Sequence, residues 1–99
     1  MKVKDIYIFG KYTKKMSLCN KAEKEYICDN FAINLENNIG INAIAHISEE
    51  GFYFKILAVY NNGKIYRNNR YFTKYVTLIR DSIFNYYNSK KMIPWYEYK

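Results

Sequence analysis

Four cationic side chains recur every three or four residues between positions 64 and 74 of this 99-residue chain. They are Lys64, Arg67, Arg70 and Lys74. Only three of the sixteen cations are arginines, and all three fall within residues 67–80, the last being Arg80. Arginine pairs with phosphate or carboxylate through two parallel hydrogen bonds, whereas lysine acts as a point charge. The pattern predicts a phosphate-contacting surface with Tyr66 as a stacking platform; the alternative is an edge strand protected by charge.

Two other groups of residues have the same chemistry. The first, close to the N-terminus, consists of Lys11, Lys14 and Lys15 together with Tyr12. Lysines in a connecting segment can follow a phosphate backbone, but isolated surface charges usually contribute little to binding or stability. We therefore keep solvated surface charge as the alternative for this group.

The second group is the C-terminal tail, residues 90–99. It contains Lys90, Lys91, Trp95 and Tyr96. Trp and Tyr are typical of the residues that dominate protein interfaces. The alternatives are that Trp95 folds back onto the core, or that copies of this chain associate through the tail.

Residues for catalysis or metal binding are few. His46 is the only histidine, and Cys19 and Cys28 are the only thiols. A structural metal site needs about four ligands, and an activated nucleophile needs an adjacent base. We therefore expect no metal, no cofactor and no catalysis, with His46 on a sheet face and both thiols reduced. The alternative among enzymes is a metal-independent RNase that would use Tyr66, Arg67 or Arg70.

Charge is segregated along the chain. Residues 1–24 carry seven Lys against Asp5 and Glu23, a net charge of +5. Residues 25–60 have a net charge of −4, and residues 61–99 have a net charge of +6. Both ends are thus basic, and aromatic rings are interleaved with the cations. Cations neutralise phosphate and rings stack on bases, so this composition favours a polyanionic partner.

The first third of the chain predicts one strand and one helix. Alternation over residues 3–9 predicts a strand, and residues 12–16 form a basic connection. Ser17 is a suitable N-cap, and apolar residues then follow at helical spacing, predicting a helix over residues 17–28. Alternation over residues 31–36 predicts a strand, with continuation of the helix to residue 37 as the alternative.

The rest of the chain predicts a hairpin series followed by a helix. Strands are predicted over 41–47, 52–60 and 64–72, with turns at 37–40, 49–51 and 61–63. Thr73 is the predicted N-cap of a second helix, whose apolar stripe consists of Phe72, Val76, Ile79, Ile83 and Tyr86. The order β-α-β-β-β-β-α predicts a single two-layer α+β domain. An antiparallel meander of about four to five strands would carry both helices on one face.

Composition and pattern together suggest a small cytoplasmic binding protein. The expected partner is nucleic acid or a nucleoprotein complex, with an acidic protein surface as the alternative. No apolar run approaches the roughly 20 residues that span a bilayer, so no membrane partner is expected. The small size and AT-rich residue usage suggest a phage or mobile-element protein that inhibits a host nucleoprotein machine, such as an anti-CRISPR.

Overall fold

The computed structural model describes residues 1–98 as five strands followed by one helical segment. The strands are β1 (Val3–Met16), β2 (Lys24–Leu35), β3 (Ile39–Ser48), β4 (Gly51–Asn61) and β5 (Lys64–Tyr66). They form one antiparallel sheet in the order β1-β2-β3-β4-β5. The C-terminal helix comprises α1 (Asn69–Phe72), a 3₁₀ turn (Thr73–Tyr75) and α2 (Val76–Ser89). Within residues 1–98, no helix is long and apolar enough to cross a membrane.

The hydrophobic core lies between this helix and one face of the sheet, which we call the helix face. Alternation along β2 and β3 directs every second side chain toward the helix, because successive residues of a strand point to opposite faces. The buried residues on this face are Phe31, Ile33, Leu35, Ile41, Ala43 and Ala45. The helix contributes Phe72, Tyr75, Ile79, Ile83 and Tyr87. The α+β class and the antiparallel meander are therefore confirmed.

The stripe of the C-terminal helix differs from the predicted one at two positions. Tyr75 and Tyr87 are fully inside the core, whereas Val76 is 39% exposed and Tyr86 is only partly buried. The polar side of the helical segment, opposite the predicted apolar stripe, includes Lys74 and is exposed to solvent. The 3₁₀ turn winds the chain more tightly than an α-helix, which accompanies the change in register between residues 72 and 79.

The helix predicted over residues 17–28 is wrong, so one helical segment covers the sheet rather than two. Cys19 and Asn20 have φ of 55° and 59°, in the left-handed region, which is incompatible with a right-handed helix. The chain turns there, and the Lys21 N–H donates to the carbonyl of Leu18. The predicted connection at residues 12–16 is instead the second half of β1, and it pairs with the first half of β2. Residues 31–36 are strand through Leu35, as predicted.

The strand predicted over residues 64–72 ends at Tyr66. The backbone N–H of Arg70 donates to Asn68 Oδ1 at 2.8 Å, so Asn68 rather than Thr73 caps the C-terminal helix. Arg70 therefore lies in the first turn of a helix. It does not share a strand face with Lys64, as a strand over residues 64–72 would require. This correction changes the geometry of the predicted phosphate-contacting surface.

The predicted turns of the meander are confirmed. Asn37 and Asn38 connect β2 to β3, and both have positive φ. Asn62 and Gly63 connect β4 to β5 with φ of 51° and 85°. Asn and Gly tolerate this backbone region better than other residues, which explains why these short loops close the hairpins.

Candidate nucleic-acid interface

The N-terminal lysines and the cations of residues 64–74 lie at opposite edges of the sheet, whereas Lys90 and Lys91 follow the end of the helix, where Tyr87 donates to Asp29 of β2. β1 forms one edge, and β5 with the start of the C-terminal helix forms the other. The segment 25–60, whose net charge is negative, contains β2, β3 and β4 apart from the first residue of β2 and the last residue of β4. The negatively charged segment therefore separates the lysines of β1 from the cations of residues 64–74.

The segment that carries the cations of residues 64–74 also contains a pair of stacked tyrosines. The rings of Tyr66 and Tyr71 are parallel within 6°, and their centroids are 4.1 Å apart. The Nζ atom of Lys74 lies 5.0 Å from the centroid of Tyr71 and 5.3 Å from that of Tyr75. These distances are within the range of cation–π attraction. We call Lys64, Arg67, Arg70 and Lys74, together with this tyrosine pair, the arginine corner.

The arginine corner carries positive charge that no ion pair offsets. All four of its cations are exposed, and within residues 1–98 none of them forms a salt bridge. The first turn of α1 also has no acidic residue. Tyr66 has one ring face against Tyr71, so only its remaining surface could meet the base predicted to stack on it. The predicted candidates Lys64 to Lys74 are thus exposed along β5, the β5–helix connection and the first turns of the helical segment.

Arg80 differs from the cations of the arginine corner because it pairs with a neighbouring carboxylate. Its Nη2 atom lies 3.1 Å from Asp81 Oδ1, and its Nε atom donates to the same oxygen at 3.2 Å. Both side chains are more than half exposed, so the pair itself adds little stability. The neighbouring carboxylate nevertheless offsets the charge that Arg80 could offer to a phosphate.

The N-terminal lysines point to different faces of β1 and lie far from the arginine corner in the strand order. Lys11 forms a salt bridge with Asp29, whose other carboxylate oxygen accepts a hydrogen bond from Tyr87. Lys15 lies opposite Glu25. Lys14 lies opposite Tyr26 on the other face and is half-buried. These three lysines therefore do not form one patch, and Asp29 offsets the charge of Lys11.

In the tail it is Ile93 that enters the core, where it is 1% exposed. The Ile93 N–H donates to the hydroxyl of Tyr98 at 2.8 Å, which folds residues 93–98 back on themselves. Trp95 and Tyr96 remain about half exposed, so the alternative in which Trp95 caps the core is wrong. Lys90 lies 5.6 Å from the ring centroid of Tyr86, and Lys91 is exposed.

A polar cluster at the β3–β4 turn was not predicted. Glu50 accepts hydrogen bonds from Lys24 at 2.7 Å and from the Tyr26 hydroxyl at 2.9 Å. The ring of His46 packs edge-on against Tyr26, and its nitrogens contact Ser48 Oγ and the Ile27 carbonyl at 3.0 Å. His46 lies on a sheet face as expected. Nothing local in the sequence relates Glu50 to Lys24 and Tyr26, which are more than twenty residues away and reach it only through the folded sheet.

Hydrogen bonds from Lys24 and then Tyr26 lower the pKa of Glu50 below its ordinary value of 4.5. A carboxylate whose pKa is lower in the folded state stabilises the fold above its unfolded pKa, and this contribution disappears as pH falls through the folded pKa. We therefore expect Glu50→Gln to reduce stability at pH 7 and to weaken the loss of stability below pH 4.5. Urea unfolding of both proteins between pH 3 and pH 7 measures this. Parallel pH profiles would contradict the assignment.

The sheet face opposite the helix, which we call the open face, contains a groove of about 680 Å³. Side chains from β1, β2, β3 and β4 and from the β2–β3 turn line it, and its polar members include Asn30, Asn34, Asn38 and Asn42. Phe9 and Tyr60 also line it and are 55% and 38% exposed. Sequence reasoning missed this asparagine groove, although three of the four asparagines occupy even-numbered positions on paired strands and hence one face.

Within residues 1–98, no three His, Cys, Asp or Glu side chains are grouped closely enough to hold a metal ion. Both cysteines are free; Cys28 is buried, and burial raises the pKa of its thiol. Comparison with protein-family models, curated proteins and solved structures finds no match to this chain.

Proposed function

We propose that this protein is a non-catalytic nucleic-acid-binding protein whose arginine corner contacts the phosphate backbone. The observation that carries the proposal is that all four cations are exposed and that none of them forms a salt bridge within residues 1–98. The same segment contains the Tyr66–Tyr71 stack. Arginine and lysine at such a surface release the counterions condensed on the nucleic acid, which supplies affinity without sequence readout. The stacked tyrosine rings pack against each other within the arginine corner, and Lys74 lies over the ring of Tyr71.

Occlusion is the mechanism that this arrangement supports. A protein of 99 residues that holds phosphates at one corner covers a stretch of nucleic acid, or of a nucleoprotein complex, that another machine needs. We propose that it acts in the cytoplasm as a phage or mobile-element inhibitor of such a machine, in the manner of an anti-CRISPR protein. The basic composition and small size support this role.

The second candidate is an inhibitor that binds an acidic protein surface without nucleic acid. The exposure of Trp95 and Tyr96, beside Lys90 and Lys91, favours it. An aromatic pair anchored by the buried Ile93 is suited to a protein interface, because rigid rings lose little conformational entropy on binding. This candidate predicts weak binding to free nucleic acid and loss of inhibition in Trp95→Ala.

The proposed function is tested by fluorescence anisotropy with labelled single-stranded and duplex RNA and DNA. Four phosphate contacts on duplex DNA predict that log K falls with log salt at a slope of about −3.6, or about −2.8 on a single strand. Between 50 and 200 mM salt, the steeper slope corresponds to roughly a 100-fold loss of affinity. Each probe is checked for cleavage after the titration.

Three outcomes of this titration differ in meaning. Salt-sensitive binding with intact probes supports the proposal. Cleavage that survives EDTA would replace it with the metal-independent RNase. Lack of binding at low salt would overturn it and leave the acidic protein surface as the partner to be sought.

A further inference from the structure

The asparagine groove has small residues at its floor and an aromatic side chain at each side. Ala32 and Gly40 line it, from the neighbouring strands β2 and β3. Phe9 of β1 lies on the β2 side of these two residues. Tyr60 of β4 lies on the β3 side, where it pairs with Gly40. Because Gly40 has no side chain, the groove stays open between Asn34 and Tyr60. A Cβ atom placed there would lie 3.4 Å from Asn34 Oδ1 and 3.9 Å from Tyr60 Cβ.

The asparagines leave hydrogen-bonding capacity toward the groove. Asn42 donates to Asn30 Oδ1 at 2.6 Å and to the Phe31 carbonyl at 3.1 Å, and Asn34 donates to Asp5 at 2.8 Å. Each side-chain amide has two N–H donors and an oxygen acceptor. Asn30 therefore keeps its donors, and Asn34 and Asn42 keep their acceptors. Paired donors and acceptors of this kind match the edge of a nucleobase.

The charges that line the groove are balanced, so the groove itself does not repel a phosphate backbone. Of the nine Asp and Glu residues, all of which lie in the described part of the chain, only Asp5 lines the groove. Lys4 lines it as well. On the open face, Tyr60 pairs with Ile65 of the edge strand β5, whereas Lys64 and Tyr66 lie on the helix face of that strand, where they pair with Asn61 and Val59. A phosphate backbone that leaves the groove would therefore pass across Ile65 and around the edge formed by β5 to reach the arginine corner.

We propose that the asparagine groove binds an unpaired base of a single-stranded nucleic acid. The inference rests on the proposed function, in that the arginine corner holds the adjoining phosphates. Phe9 and Tyr60 provide ring surface for stacking, and the asparagine amides meet the base edge. Bases in a duplex are stacked and paired, so they cannot enter a groove on a sheet face; bases of a single strand can.

The test compares three probes of equal length by fluorescence anisotropy at one low salt concentration. They are a mixed-sequence single strand, a single strand in which every nucleotide is abasic, and a duplex. The first two carry the same phosphate charge, so only the bases differ. We expect the protein to bind the normal single strand about tenfold more tightly than the abasic one, the size expected for stacking of one base.

Gly40→Val and Phe9→Leu are the informative variants. Gly40→Val fills the floor, and the spacing around Gly40 corresponds to ordinary van der Waals contact, so the strand accommodates a Cβ. Phe9→Leu removes a ring from a side chain that is 55% exposed. Both are expected to lose the preference for the normal strand and to keep the affinity for the abasic one. Tyr12→Leu, on the same strand but outside the groove, is the matched control and keeps the preference.

The outcomes separate this inference from the proposed function. Salt-sensitive binding without preference over the abasic strand would overturn the inference and leave the proposed function standing. Retention of the preference in both Gly40→Val and Phe9→Leu would overturn it as well, and place the base elsewhere. If none of the probes binds at low salt, the proposed function fails and the inference fails with it.

Discussion

On the proposed function, we expect the double variant Arg67→Ala/Arg70→Ala to bind nucleic acid roughly 30- to 150-fold more weakly than the unmodified protein. This range corresponds to a loss of about 2–3 kcal/mol, since hydrogen bonds to charged groups contribute about 1.5–3 kcal/mol and exposure reduces each contribution. Both arginines are exposed, and neither forms a salt bridge within residues 1–98. Their removal is therefore expected to change binding and not folding.

The salt dependence identifies what the two arginines contact. Each phosphate contact contributes about 0.9 to the slope of log K against log salt on duplex DNA. Loss of two contacts is expected to make the slope shallower by about 1.8, equally for all sequences, because phosphate contacts do not read bases. Anisotropy titrations at several salt concentrations measure both the affinity and the slope. An unchanged slope would assign the arginines to a contact other than phosphate.

Arg80→Ala provides the matched control for this experiment. It removes the same side chain from the same helical segment, but Arg80 is hydrogen bonded to Asp81 through two nitrogens. Because the carboxylate already offsets its charge, we expect the affinity to change by about twofold or less. A loss as large as that of the double variant would extend the interface along the outer side of α2. The arginine corner would then be only part of the binding surface.

The parts of the fold that the sequence predicted are those with local signals. Asn37-Asn38 and Asn62-Gly63 have residue types that tolerate positive φ, and they separate alternating segments that became β2, β3, β4 and β5. The C-terminal helix was predicted from its apolar stripe. These features depend on a few consecutive residues, so no knowledge of the tertiary structure was needed.

The prediction of a helix over residues 17–28 was wrong because its local signal was weaker than the pairing of distant strands. Leu18, Cys19, Ala22 and Tyr26 fit a helical spacing, but Tyr26 and Cys28 also fit the two-residue period of a strand. Pairing with twelve residues of β1 decided between them. The sites follow the same logic. The residues of the arginine corner are close in sequence and could be proposed from it, whereas the asparagine groove combines four strands and appears only once their order is known.

Phe31→Ala is expected to be the most damaging single substitution for stability. Phe31 is completely buried in β2, and its ring makes edge-to-face contacts with Tyr86 at 5.3 Å and Tyr87 at 5.6 Å. Truncation of a buried phenylalanine costs about 3–5 kcal/mol, since it leaves a cavity and removes apolar contacts. Domains of this size are stable by about 5–15 kcal/mol, so Tm is expected to fall by roughly 15–30 °C. Thermal and urea unfolding measure the change.

Phe9→Ala is the control for Phe31→Ala, because it removes the same ring from an exposed position on the neighbouring strand. We expect it to change the free energy of unfolding by about 0.5 kcal/mol or less. A loss below about 1 kcal/mol for Phe31→Ala would mean that the helix does not pack over β2 at this point. The two phenylalanines are also expected to have separate roles, one in stability and the other in binding. Phe31 holds the helix against the sheet, whereas Phe9, on our proposal, stacks on a base and contributes little to the core.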